Sequence, residues 1–130
     1  MKLTLRIAAD EGLLYAIYSG DFALAEAERT FLQILEALER HKMQKVLVDG
    51  RAITGEPETM ERFFYGEFVA EEVTKLRNRV MCHNPQFAYV LVVPVLDRRR
   101  FGETVAVNRG MFVKAFDNLN DALQWLNRLR

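Results

Sequence analysis

Val46-Leu47-Val48-Asp49-Gly50-Arg51, then Ala52-Ile53-Thr54-Gly55-Glu56-Pro57, then the stretch from Met60 to Leu76: these residues decide the reading of the chain. Lys45 to Asp49 has the short apolar run of a buried strand, and the Gly- and Pro-containing segment after it reads as a loop. Beyond the loop, Met60, Phe63, Phe64, Tyr65, Phe68, Val69, Val73 and Leu76 crowd a single helix. At about 100° per residue, Met60, Phe64 and Phe68 share one side and Tyr65, Val69, Val73 and Leu76 another. A typical surface helix buries a stripe of roughly 100°, and this one exceeds half its circumference. Either the helix is buried between a sheet and a neighbouring helix, or its surplus covers a ligand, a membrane or a second subunit. A strand feeding a loop feeding a helix is also where open α/β sheets place ligands. Gly66, inside the helix, costs about 1 kcal/mol relative to Ala, which calls for close packing or a kink.

Outward from this segment, the pattern is regular. Leu3, Leu5 and Ile7 alternate with Thr4 and Arg6 as in a strand, Asp10-Glu11-Gly12 supplies a turn, and Leu13 to Ser19 returns as a hairpin partner. Asp21 is the expected N-cap of the next helix, in which Leu24, Ala27, Phe31, Ile34, Leu35 and Leu38 recur at three- and four-residue steps. Phe87 to Val93 lacks alternation, the mark of a strand covered on both faces, and is expected to be central. A loop with Asp97-Arg98-Arg99-Arg100 follows, then a short helix from Gly102 to Asn108, with Gly110 as its stop. Met111 to Phe116 is the last strand, and Leu119 to Leu129 the closing helix. Strands alternating with helices imply mainly parallel pairing through right-handed crossovers.

Composition narrows the function classes. The chain has 130 residues, which fits one domain, and Lys plus Arg equals Asp plus Glu at 18 each. A neutral balance excludes a general nucleic-acid binder. One Cys forms no internal disulfide, which fits a cytoplasmic protein. The alternating N-terminus is not an apolar signal-peptide core, and no run approaches the roughly 20 apolar residues of a membrane span.

The candidate sites are few. Asp49 and Arg51 would anchor a polar head group, or else make a local turn bond and a surface ion pair. Met60, Phe64 and Phe68 would supply apolar walls. Arg98, Arg99 and Arg100 would grip a phosphate or an acidic lipid head, with Phe101 beside them, unless the loop is simply solvated. Cys82-His83 is adjacent in sequence, but adjacency does not orient a base on a nucleophile. No zinc-ligand spacing or phosphate loop occurs. No catalytic residue, cofactor or metal is expected.

The element order and wording resemble the SpoIIAA-like branch of the STAS superfamily, the anti-sigma factor antagonist domain, which is often compared with the CRAL-TRIO lipid-carrier fold. The residues carrying the resemblance are Val46 to Arg51, Thr59-Met60-Glu61-Arg62-Phe63, Gly66-Glu67, Val105 to Gly110, Phe116-Asp117-Asn118 and Ala122 to Leu126. It implies a non-enzymatic module, proposed in some relatives to bind apolar ligands or associate with membranes. Phosphorylatable members carry an Asp-Ser-Ser-Gly-like turn. Here Ile53 to Thr59 contains no serine, leaving Thr54 and Thr59 as the only hydroxyls, and Thr59 also suits a helix cap.

The expectation is therefore one α/β domain with a mixed, mainly parallel sheet of about five strands covered by helices. Its leading function is binding of an apolar or lipid-like ligand, or a membrane surface, under the Met60–Leu76 helix. The alternative is a regulatory domain that binds a protein partner. A homodimer through the surplus apolar face is a further expectation.

Overall fold

A computed structural model describes residues 1–80 and 84–128. Cys82, His83 and Leu129 lie outside the described residues. The elements are β1 (Lys2–Ala8), β2 (Leu13–Asp21), α1 (Leu24–His41), β3 (Lys45–Thr54), α2 (Thr59–Arg79), β4 (Gln86–Val90), α3 (Phe101–Asn108), β5 (Phe112–Phe116) and α4 (Leu119–Arg128).

The sheet runs in the order β1-β2-β3-β4-β5. The β1–β2 hairpin is antiparallel and the other three pairings are parallel. Successive parallel strands added in one direction through right-handed crossovers put every crossover helix on the same face. Accordingly α1, α2 and α3 share one face, where Phe31, Ile34, Leu38, Val73 and Leu76 pack on Leu14, Val46, Val48 and Phe87. Among the described residues only α4, after the last strand, covers the other face, where Ala122 and Leu126 meet Leu47, Ala88 and Val90. Strand alternation divides β3 between the two cores. All five residues of β4 are buried, which explains its unbroken apolar wording.

Several expectations are corrected. The strand beginning at Lys45 does not end at Asp49; it continues through the expected loop to Thr54. Ile17 pairs with Asp49 and Ser19 with Ala52, so Tyr18 faces two residues, Gly50 and Arg51. This bulge shifts the alternation by one: Val48 and Ile53 both face α2 despite opposite parity. A Cβ on Gly50 would lie 2.6 Å from Leu91 Cδ2 and 2.9 Å from Ile53 Cδ1, so any larger residue there would make those two side chains shift. The middle strand is β3; β4 ends at Val90, and the chain then leaves the sheet through a cis Val93–Pro94 bond. Ala23, not Asp21, is the N-cap of α1. Asp21 ends β2 and accepts a hydrogen bond from the Thr54 hydroxyl. Thr59 does not cap α2 either; Glu58 does, its N–H donating to the Glu61 carboxylate at 2.9 Å.

The surplus apolar surface of α2 is split three ways. Val69, Ala70, Val73 and Leu76 enter the core. Another side meets α3 through glycines: a Cβ on Gly66 would stand 2.5 Å from Gly102 O. Gly66 therefore serves close packing. The remainder stays outside, with Met60 55% and Phe64 43% exposed.

Candidate functional site

A cavity of about 140 Å³ opens at the carboxyl ends of the parallel strands, between the sheet and the first half of α2. Its sheet side is built by Tyr18, Val48, Ile53, Tyr89, Val113 and Ala115. The roof is Arg62, Tyr65, Gly66 and Val69 of α2, with Gly102, Glu103 and Ala106 of α3. Leu91, Val95, Leu96 and Asp97 close the side between β4 and α3. The small residues Ala106 and Ala115 line the space without filling it, and the contact of Gly66 with Gly102 brings α2 and α3 together over it.

The polar groups of this cavity are mostly engaged. Tyr65 and Tyr89 bond hydroxyl to hydroxyl at 2.7 Å. Tyr18 bonds Thr30 at 2.7 Å, and the Thr30 hydroxyl donates to Glu26 O of the preceding helical turn, so Tyr18 is the donor of that pair. Burial pushes the phenols of Tyr18, Tyr65 and Tyr89 up, Tyr65 and Tyr89 far above the ordinary range, which keeps them neutral. Arg62 donates to Val95 O at 2.8 Å and Pro94 O at 2.7 Å, tying α2 to the segment after β4. Arg100 donates to Ala115 O at 2.5 Å and to Glu103 at 3.2 Å. Burial raises the Asp97 carboxyl, but the N–H groups of Phe101 and Arg99 outweigh it together and hold the group below the usual carboxylate range. Two arginines and two carboxylates thus cancel around the rim.

The residues expected as ligand contacts are distributed differently. Met60 and Phe64 point outward and do not line the cavity; Phe68 is partly buried against the core, also outside the lining. The wall is the opposite side of the same helix. Asp49 has the parity of Leu47, the side α4 covers, and Arg51 grips it with two bonds, Nε to Oδ1 at 2.9 Å and Nη2 to Oδ2 at 2.8 Å. That fork holds the Asp49 carboxyl below its usual range. Neither residue lines the cavity, so the local-pair reading is the one the geometry matches. Of the arginine run, Arg98 and Arg99 are exposed and only Arg100 reaches the rim.

The outer side of α2 forms a second feature. Phe63 lies between Phe64, at 5.7 Å, and Phe101, at 6.2 Å between ring centroids, and Arg109 sits 5.5 Å above the Phe63 ring while donating to Glu67. The arginine loop and the start of α2 therefore do share one end of the sheet. Thr54 and Thr59 are exposed near this end. Among the described residues, no group of three or more His, Cys, Asp or Glu comes together as metal ligands, and no helix is long and apolar enough to cross a membrane.

Sequence reasoning missed Tyr18, Tyr89 and Arg62. The available signal was Tyr18, directly after Ala16 and Ile17 in β2, and Tyr89, between Ala88 and Val90 in β4, since a buried phenol needs a partner for its hydroxyl.

Among solved structures, the chain is similar to an uncharacterised protein of the DUF3478 family with a SpoIIAA-like fold from Shewanella loihica. The two are 18% identical, the match covers 96% of this chain and 92% of that one, and the TM-score is 0.51. No protein-family model and no curated protein matches the chain. The five-stranded mixed sheet with four helices is a SpoIIAA-like fold, as the resemblance in the sequence implied.

Proposed function

We propose that this protein is a non-enzymatic binding module that takes a small apolar ligand in the cavity between α2 and the carboxyl ends of β3, β4 and β5. The observation that carries the reading is the cavity itself: apolar, partly enclosed, and at the position where α/β sheets bind ligands. Its size sets the ligand. An apolar protein cavity of about 150 Å³ accommodates benzene, so about 140 Å³ suits a single ring or a short stretch of acyl chain. A complete long-chain lipid is too large without movement of α2. Native mass spectrometry of protein purified without detergent, with organic extraction of the same sample, tests the reading. A reproducible extra mass that extracts into organic solvent is expected. A clean apo mass, together with no uptake of added single-ring compounds, would overturn it.

A second reading has its own support. The SpoIIAA-like fold favours a STAS-type regulatory domain that binds a protein partner, and the exposed Met60, Phe64 and Phe101 offer an apolar contact surface beside Arg98 and Arg99. The same surface suits a second copy of the chain or a membrane. Of the two threonines, Thr59 is the better acceptor of a phosphate, because it sits exposed in the first turn of α2, where the helix dipole favours negative charge. Thr54 already bonds the Asp21 carboxylate, which would repel one. Pull-down with a Phe64→Ser control tests this reading. A specific partner lost in the variant supports it, and capture unaffected by the variant counts against it.

A further inference from the structure

The ligand's chemistry is written in the proton count of the cavity wall. Tyr65 and Tyr89 bond to each other, and either can donate. Whichever does, one proton lies in the bond and the other phenol keeps a proton to give. Among the described residues no acceptor takes that second proton. Tyr18 cannot use it, because its own hydroxyl is spent on Thr30. Both phenols line the cavity. A hydroxyl left without a partner when a ligand displaces solvent is costly, so the best occupant brings an acceptor to it.

Charge decides what kind of acceptor. The charged groups at the rim are Arg62, Asp97, Arg100, Glu103 and the Met1 ammonium; the ammonium is paired with the Glu26 carboxylate at 2.7 Å, and with that partner counted the six charges sum to zero. Arg62 is committed to the two backbone carbonyls, and Arg100 to Glu103 and Ala115 O. Among the described residues no surplus cation at the rim waits for an anionic head, and an unpaired charge in an apolar cavity is strongly disfavoured.

We infer that the cavity selects a neutral, single-ring-sized molecule carrying one oxygen acceptor, such as a ketone, aldehyde, ester or ether, which takes its hydrogen bond from the Tyr65–Tyr89 hydroxyl pair. The inference rests on the proposed cavity-binding function and gives its ligand class. It replaces the anionic lipid head expected from the arginine run.

Three eight-carbon probes separate the possibilities: ethylbenzene, acetophenone and phenylacetate, titrated by calorimetry into the full chain and into a Tyr65→Phe, Tyr89→Phe double variant. Each single variant would keep one donor, so both changes are needed. The expected result is that the acetophenone-to-ethylbenzene affinity ratio falls roughly three- to tenfold in the double variant, the worth of one hydrogen bond, while phenylacetate does not bind. Infrared spectra of bound acetophenone give a readout independent of the variant's folding. Its carbonyl stretch is expected below the value in hexane. A hexane-like stretch with an unchanged ratio would overturn the inference and leave the cavity reading standing. Preferred binding of phenylacetate would also overturn it. Binding of none of the three would overturn both.

Discussion

The two faces of the sheet are built to different standards. Under α4, Leu47, Ala88, Val90, Ala122 and Leu126 are almost fully buried and interlock. Under α1, α2 and α3 the core is larger, with Phe31, Ile34, Leu38, Phe87 and Val73 as tightly buried, yet it stops short of the carboxyl ends of the strands and leaves a cavity there. The solid face shows what this chain's apolar residues achieve when packing is the only demand. The hollow is therefore a departure with causes: glycines hold α2 and α3 close at one point, alanines stand where larger side chains would fit, and two tyrosines put hydroxyls into an apolar wall.

The contrast breaks most readily on the solid side. Leu126→Ala is expected to cost about 2–5 kcal/mol, because a fully buried leucine leaves a void in a packed layer. Urea denaturation would measure it, and a loss below about 1 kcal/mol, well under the range for such truncations, would mean that the α4 face is not packed as described. At the α2–α3 crossing, Gly66→Ala gains helix propensity but drives a Cβ into Gly102 O, so a net loss of roughly 1–3 kcal/mol is expected. A stabilised variant would show that the two helices are not in contact there.

The sharpest comparison adds carbon to both faces. Ala88→Val overfills the solid side and should cost roughly 1–3 kcal/mol. Ala115→Val adds methyls beside the cavity and should be neutral or stabilising by up to about 1 kcal/mol, while weakening ligand uptake. Equal losses at the two positions, read from thermal melts, would erase the distinction.

The tyrosines add a pH dependence on the hollow side. Burial raises the folded-state values of Tyr65 and Tyr89 above the unfolded value of about 10. Their contribution is complete below that value and is lost as pH rises above it, because the unfolded chain ionises first. Ultraviolet difference absorbance should show these two phenols ionising only as the fold is lost. The smallest effect belongs to Asp49→Asn. The folded value of Asp49 is depressed by Arg51, so its contribution is present above the unfolded value of about 3.9 and fades as pH falls through the folded one. With Arg51 half exposed, the pair is worth under about 1 kcal/mol at neutral pH.

Most of the architecture was legible from periodicity. The hairpin, the alternation of strands and helices, and the position of every helix follow from apolar spacing and turn residues. The run from Gly50 to Thr54 was not legible, because a glycine, a charged residue and a loop-like composition conceal a strand once a bulge shifts its alternation. Caps were misplaced at Asp21 and Thr59, since tertiary partners claimed Asp21 and an acidic pair claimed the start of α2. For the candidate site, the helix that walls the cavity was legible, but not which of its sides does so. Periodicity sorts Met60, Phe64 and Phe68 from Tyr65 and Val69 but does not say which group faces the sheet, and a run of arginines does not reveal that only the third turns inward.

The claim that one face is hollow and the other solid is tested most directly by methyl-resolved NMR during a titration with ethylbenzene. Saturable shifts are expected at Val48, Ile53, Val69 and Val113, with Leu47, Val90 and Leu126 unmoved. Shifts confined to the outer side of α2 around Met60, or no saturable shift at the cavity methyls, would contradict it.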